Sequence, residues 1–92
     1  MPQLFKIGPY SVYFWSNEGN PLEPVHVYIS EGRATPNATK IWITSNGKAL
    51  RCNNHSAIPE RILIRMERYL EANSDYIISA WEDQFGQAEY YI

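Results

Sequence analysis

His26 and Tyr28 stand two residues apart in the run Glu23-Pro24-Val25-His26-Val27-Tyr28-Ile29. In an extended strand such a pair projects from one face, with the two residues about 6–7 Å apart. The segment just upstream adds two carboxylates, Glu18 and Glu23. Imidazole, phenol and carboxylate together could hold a small polar ligand, and a histidine can act as a general base near neutral pH. The set suits a metal poorly, because zinc sites take three or four ligands and usually more than one His or Cys. The competing use is structural: His26 hydrogen-bonds the Asn17–Glu23 loop and pins it to a sheet.

Cys52 and His55 form a Cys-x-x-His pair. That is half of a metal site without a second half. As a nucleophile pair it lacks a clear orienting carboxylate or helix N-terminus. The expectation is a small buried Cys and a loop His. Arg61, Arg65 and Arg68 are spaced by four and then three residues, which lines them up on one side of a helix. Such a stripe could meet phosphate or an acidic partner. Glu60, Glu67 and Glu71 line the adjoining side, and mixed charge of this kind usually marks a solvated face. Ile64 lies between the two rows and, with Tyr90, Tyr91 and Ile92, could form an apolar contact for a partner chain. The chain carries no Gly-rich phosphate loop, no His-Glu-x-x-His and no nucleophile elbow. No cofactor is implied by any of these patterns.

The elements that must position these residues fall into two halves. Leu4 to Ile7 reads as a short strand, and Gly8-Pro9 as a turn. Tyr10 to Ser16 alternates as a second strand: Tyr10, Val12 and Phe14 on one face, Ser11, Tyr13 and Trp15 on the other. Aromatics on both faces imply that the second face is also covered. The set Tyr10, Tyr13, Phe14, Trp15 and Trp42 belongs mostly to packing, with part of it available to a groove or interface. Pro24 keeps Glu23 extended, so a third strand starts near Val25, with Val25, Val27 and Ile29 as its apolar side. Thr39 to Thr44 follows, then Asn46-Gly47, a strong hairpin signal, and a return strand over Lys48 to Cys52.

The second half is helical. Pro59 suits a helix start, and Ile62, Leu63, Met66, Tyr69 and Leu70 make an apolar stripe. Asn73-Ser74 breaks the pattern and begins a second helix, Ser74 to Phe85, with Ile77, Ile78, Trp81 and Phe85 on its apolar side and Gly86 as its C-cap. The tail 88–92 either frays or adds an edge strand. Strands followed by helices imply an α+β fold: an antiparallel meander of four or five strands with two C-terminal helices on one face, in a single domain over residues 1–92.

At 92 residues, only about 60–65% of the unfolded chain's surface can be buried. Three Trp, seven Tyr and three Phe compensate, since each buries roughly 150–250 Å². A net charge of −2 argues against nucleic acid as the main partner. No apolar run approaches the ~20 residues of a membrane span. A single cysteine and no signal peptide fit a reducing cytoplasm.

Several landmarks recur in a set order: Met1-Pro2, Tyr13-Phe14-Trp15-Ser16-Asn17-Glu18, Glu23-Pro24-Val25-His26-Val27, Ala38-Thr39-Lys40-Ile41-Trp42-Ile43, the helix Glu67-Arg68 to Asn73, and Ala80-Trp81-Glu82 with Phe85-Gly86. Together they resemble the small bacterial domain-of-unknown-function family 4160. The family typically carries Pro-Pro-His-x-His at the third strand. Here Val25 replaces the second Pro and Tyr28 the second His, so only His26 carries over. The resemblance implies a component of a small bacterial operon, beside another small protein, in a toxin–antitoxin type of pair. The expected function is therefore a non-enzymatic protein-binding module that uses His26, Tyr28, Arg61, Arg65 and Arg68. The alternatives are a small hydrolase or nuclease toxin built on His26, Tyr28, Glu18 and Glu23, and, more weakly, a nucleic-acid-binding protein.

Overall fold

The computed structural model describes residues 3–16 and 22–92. Among them, strands β1 (Gln3–Ile7), β2 (Tyr10–Tyr13), β3 (His26–Glu31), β4 (Thr39–Ile43) and β5 (Ala49–Arg51) precede helices α1 (Glu60–Ala72) and α2 (Ser74–Phe85). The strands pair antiparallel in chain order to form one sheet. This is the α+β meander expected from the sequence.

Alternation sorts the sheet into two faces. Val12 and Phe14, then Val25, Val27 and Ile29, then Ile41 and Ile43, are fully buried in one cluster. Leu63, Met66 and Leu70 of α1 and Ile77 and Trp81 of α2 complete it. Burying each such side chain stabilises the fold by about 1.5–3 kcal/mol. Trp81 packs edge-on to Phe14 at 5.0 Å and against Phe85 at 4.6 Å, which fixes α2 over the sheet.

The opposite face is covered as well. Tyr13 is fully buried because the β3–β4 loop folds over it: its hydroxyl donates to the Thr35 carbonyl (2.8 Å) and accepts from the Thr35 N–H (3.0 Å). Ser11 and Ser30 donate to the Gly32 and Arg33 carbonyls at 2.7 Å, tying down the same loop.

The turns account for the element ends. Gly47 closes the β4–β5 hairpin at φ +79°, a conformation that favours glycine, and a Cβ there would stand 2.8 Å from Ser74 Oγ and push that hydroxyl aside. Asn73 ends α1 and caps α2 without a side-chain cap bond, and Gly86 closes α2 in the left-handed region at φ +76°.

Several boundaries and faces differ from the expectation. β2 ends at Tyr13, not Ser16, and β5 spans Ala49–Arg51 rather than Lys48–Cys52. Ile62 and Tyr69 were expected in the core stripe but are 37% and 41% exposed, because they sit on the shoulder of α1 beyond Leu63, Met66 and Leu70. Cys52 is exposed, not buried. It follows the outermost strand, where the neighbouring Leu50 is also open to solvent. The tail neither frays nor forms a strand. Its Glu89 carbonyl accepts from the Val25 N–H (2.8 Å), its Ile92 carbonyl accepts from Ser45 N–H (3.0 Å), and Tyr91 stacks on Trp42 at 4.8 Å.

Candidate functional site

Pro24 holds the chain extended into β3, and His26 begins that strand. The His26 ring is fully buried, with Nδ1 2.8 Å from the Pro24 carbonyl. Three aromatic rings enclose it edge-on: Tyr28 at 5.2 Å, Trp81 at 5.2 Å and Trp42 at 5.7 Å. A ring so held fixes the entry into β3 through the Pro24 carbonyl.

Tyr28 is half-buried and stacks on Tyr13 at 5.8 Å. Glu23 does not pair with His26. Its carboxylate accepts from Lys40 Nζ at 2.8 Å, and that ammonium also lies 4.5 Å from the Trp42 ring centre. The ammonium thus rests between a carboxylate and a π face, both of which attract it. Glu18 lies outside the described residues. Among the described residues, no three of His, Cys, Asp and Glu cluster closely enough to hold a metal ion. His55 and Cys52 are both exposed. The Cys52 sulfur has Asn53 Nδ2 at 3.9 Å, a weak contact at most.

The helix α1 carries the other candidate residues, and its two charged rows have different surroundings. Arg51 on β5 makes paired bonds to two carboxylates: Nη1 and Nη2 to the two Glu60 oxygens at 2.8 Å each, and Nε and Nη2 to the two Glu67 oxygens at 3.0 Å each. Four hydrogen bonds on one planar guanidinium match the fork geometry that makes Arg–carboxylate pairs strong. The Arg51 pKa is pushed still further up by its bonds to Glu60 and then Glu67, and the Glu60 carboxyl is held below its ordinary value by Arg51. Glu71 accepts the Ala49 N–H at 3.0 Å. The acidic row therefore bonds to β5, with Glu67 and Glu71 half-buried there and Glu60 still open to solvent.

Arg61, Arg65 and Arg68 occupy the adjoining, outward side of the helix and are exposed. Among the described residues, none of the three makes an ion pair or a side-chain hydrogen bond. Beside Arg65 opens a groove of about 420 Å³ between α1 and the β1–β2 turn. Ile7, Tyr10, Ile62, Met66 and Tyr69 line it together with Gly8-Pro9, and Arg65 is its one charged wall. Phe5 braces this side, with Tyr69 at 5.2 Å edge-on and Tyr76 at 5.4 Å. The groove went unforeseen because Ile62 and Tyr69 fit the core stripe by spacing alone. Their distinguishing signal was their place next to the arginine row.

The structure thus brings His26 and Tyr28 together in an aromatic enclosure and leaves Arg61, Arg65 and Arg68 on a separate, open face. One further residue was missed. Asn54 organises the loop before α1: Oδ1 accepts from Thr39 Oγ1 (2.7 Å) and the Ile58 N–H (3.0 Å), and Nδ2 donates to the Ile58 carbonyl (2.8 Å). This loop delivers Pro59 to the α1 start and includes Ala57, held at φ +54°. No helix among the described residues is long and apolar enough to cross a membrane.

No curated protein and no solved structure matches the chain. The family described as Domain of unknown function (DUF4160) matches over residues 10–82, from the start of β2 through most of α2. That span takes in His26, Tyr28, the arginine row and the acidic row. By this match over most of its length, the chain belongs to the family Domain of unknown function (DUF4160).

Proposed function

We propose that the protein is a non-enzymatic binding module whose partner is another small protein, encoded beside it in a bacterial operon and paired with it in the manner of a toxin and its antitoxin. The observation that carries this reading is the arginine row without a partner among the described residues, with Arg65 in the wall of an apolar groove. Exposed cations next to exposed apolar side chains are the ingredients of a protein interface, with a desolvated centre and a charged rim. Enclosure of His26 by three rings supports a structural role for it over a catalytic one.

The test is co-expression with the product of the adjacent gene, followed by affinity capture through a tag on either chain. A stable complex at micromolar concentration is expected. No complex at that concentration would contradict the reading. Expression of the chain alone supplies the second arm: growth arrest that His26→Ala relieves would replace the binding reading with the enzymatic one.

A further inference from the structure

We infer that the groove beside α1 takes an acidic, amphipathic segment of a partner protein. One large apolar side chain of that segment enters between Ile62, Met66 and Tyr69 on one wall and Ile7 and Tyr10 on the other, and its carboxylates meet Arg65, Arg61 and Arg68. This inference rests on the protein-binding reading above and names the chemistry of the partner.

Charge complementarity selects the occupant. The glutamates that could neutralise the arginines from the same helix are engaged elsewhere: Glu60 and Glu67 by Arg51, and Glu71 by the Ala49 N–H. No carboxylate among the described residues pairs with the arginine row, so it keeps a local excess of positive charge although the whole chain has a net charge of −2. It runs about 10 Å along the helix, seven residues at the helical rise. Carboxylates three or four residues apart on a partner helix would match that spacing.

Three other occupants fit less well. A second copy placed across a two-fold axis would set like charges against each other, arginine row against arginine row. A nucleic acid would find only three cations and an apolar wall, whereas phosphate recognition needs a basic surface. A strand added to the β1 edge would meet exposed Lys6 in mid-strand and a register irregularity between Gln3 and Phe5. Both features discourage edge pairing. Insertion of side chains into the groove avoids that edge.

The test is a random-peptide phage library selected on the full-length chain, with each enriched peptide then titrated against wild type, Arg65→Glu and Ile62→Asp. Arg65 is exposed and its side chain makes no hydrogen bond among the described residues, so Arg65→Glu folds, and a thermal melt verifies it. Enriched peptides are expected to combine Asp or Glu with a large apolar residue. Their affinity is expected to fall at least about tenfold in Arg65→Glu and in Ile62→Asp. Peptides that bind both variants as well as wild type would overturn this face while leaving the binding-module reading standing. No enrichment over bare support, together with no complex with the adjacent gene product, would overturn both. Tighter binding of a single-stranded oligonucleotide than of any peptide, lost in Arg65→Glu and falling steeply with salt, would assign the row to phosphate instead.

Discussion

On one flank of α1, Glu60, Glu67 and Glu71 are held by β5, and on the other Arg61, Arg65 and Arg68 face outwards beside an open groove. The helix belongs to the same stretch of sequence on both sides, and the charges alternate along it. What separates the flanks is the sheet. Arg51 projects from an edge strand that α1 crosses, and it holds both carboxylates on one guanidinium. Among the described residues the arginines have no such acceptor. The acidic flank closes an edge of the sheet, while the basic flank keeps a field and an apolar hollow available to something else. Charge count alone would have made the two rows cancel.

The comparison can be broken from either side, starting in the core. Leu63 is fully buried under α1, whereas Ile62, its neighbour in sequence, walls the groove and is 37% exposed. Leu63→Ala should cost about 2–5 kcal/mol, and Ile62→Ala under about 1 kcal/mol, measured by urea unfolding. Equal costs would mean that the groove is closed in solution.

Next in size is the loop that sets the angle of α1. Asn54→Ala removes a side chain that satisfies Thr39 and both backbone groups of Ile58. It should destabilise by about 1–3 kcal/mol. Chemical denaturation checks it, and a loss within about 0.5 kcal/mol would show that solvent replaces those bonds without cost.

The charged flanks should then differ from each other. Arg51→Ala leaves two carboxylates close together without their cation, and should cost about 1–2 kcal/mol, more than an ordinary surface pair because four bonds are lost together. Arg65→Ala should lie within about 0.5 kcal/mol of wild type. Comparable losses from the two substitutions, in parallel melts, would erase the distinction.

The smallest effect is in pH. The folded Glu60 carboxyl titrates below its ordinary value of 4.5 because of Arg51. Its contribution is therefore full above the unfolded value and disappears as pH falls through the folded one. The Tm gap between wild type and Glu60→Gln should be present at neutral pH and close progressively below about pH 4.5. Glu60 is fully exposed, so the gap is small and shrinks in salt. A gap that widened in acid would contradict the assignment.

Much of this architecture was legible from residue pattern. Val25, Val27 and Ile29 declared the core side of β3 by period-two alternation, Asn46-Gly47 marked the β4–β5 hairpin, and the bounds of α2 followed from Asn73-Ser74 and Gly86. These are local signals, in which a few adjacent residues decide the outcome. The site was less legible because its determinants are distant. Arg51 meets Glu67 across 16 positions, and Tyr13 meets Thr35 across 22, contacts that depend on how α1 crosses the sheet and how a loop folds back. His26 had its face assigned by alternation, but its burial depends on Trp81 arriving from α2. Asn54 looked like any polar loop residue, since what matters is which backbone groups stand around it.

The central claim is that one flank of α1 is for recognition and the other for structure. Isothermal titration of the adjacent gene product into wild type and Arg65→Glu, with Arg51→Ala as the structural counterpart, addresses it most directly. Arg65→Glu should lose at least about tenfold in affinity at unchanged Tm, and Arg51→Ala should lose stability while binding as wild type at a temperature where it is folded. Binding unaffected by Arg65→Glu, or abolished equally by Arg51→Ala in its folded state, would contradict the account.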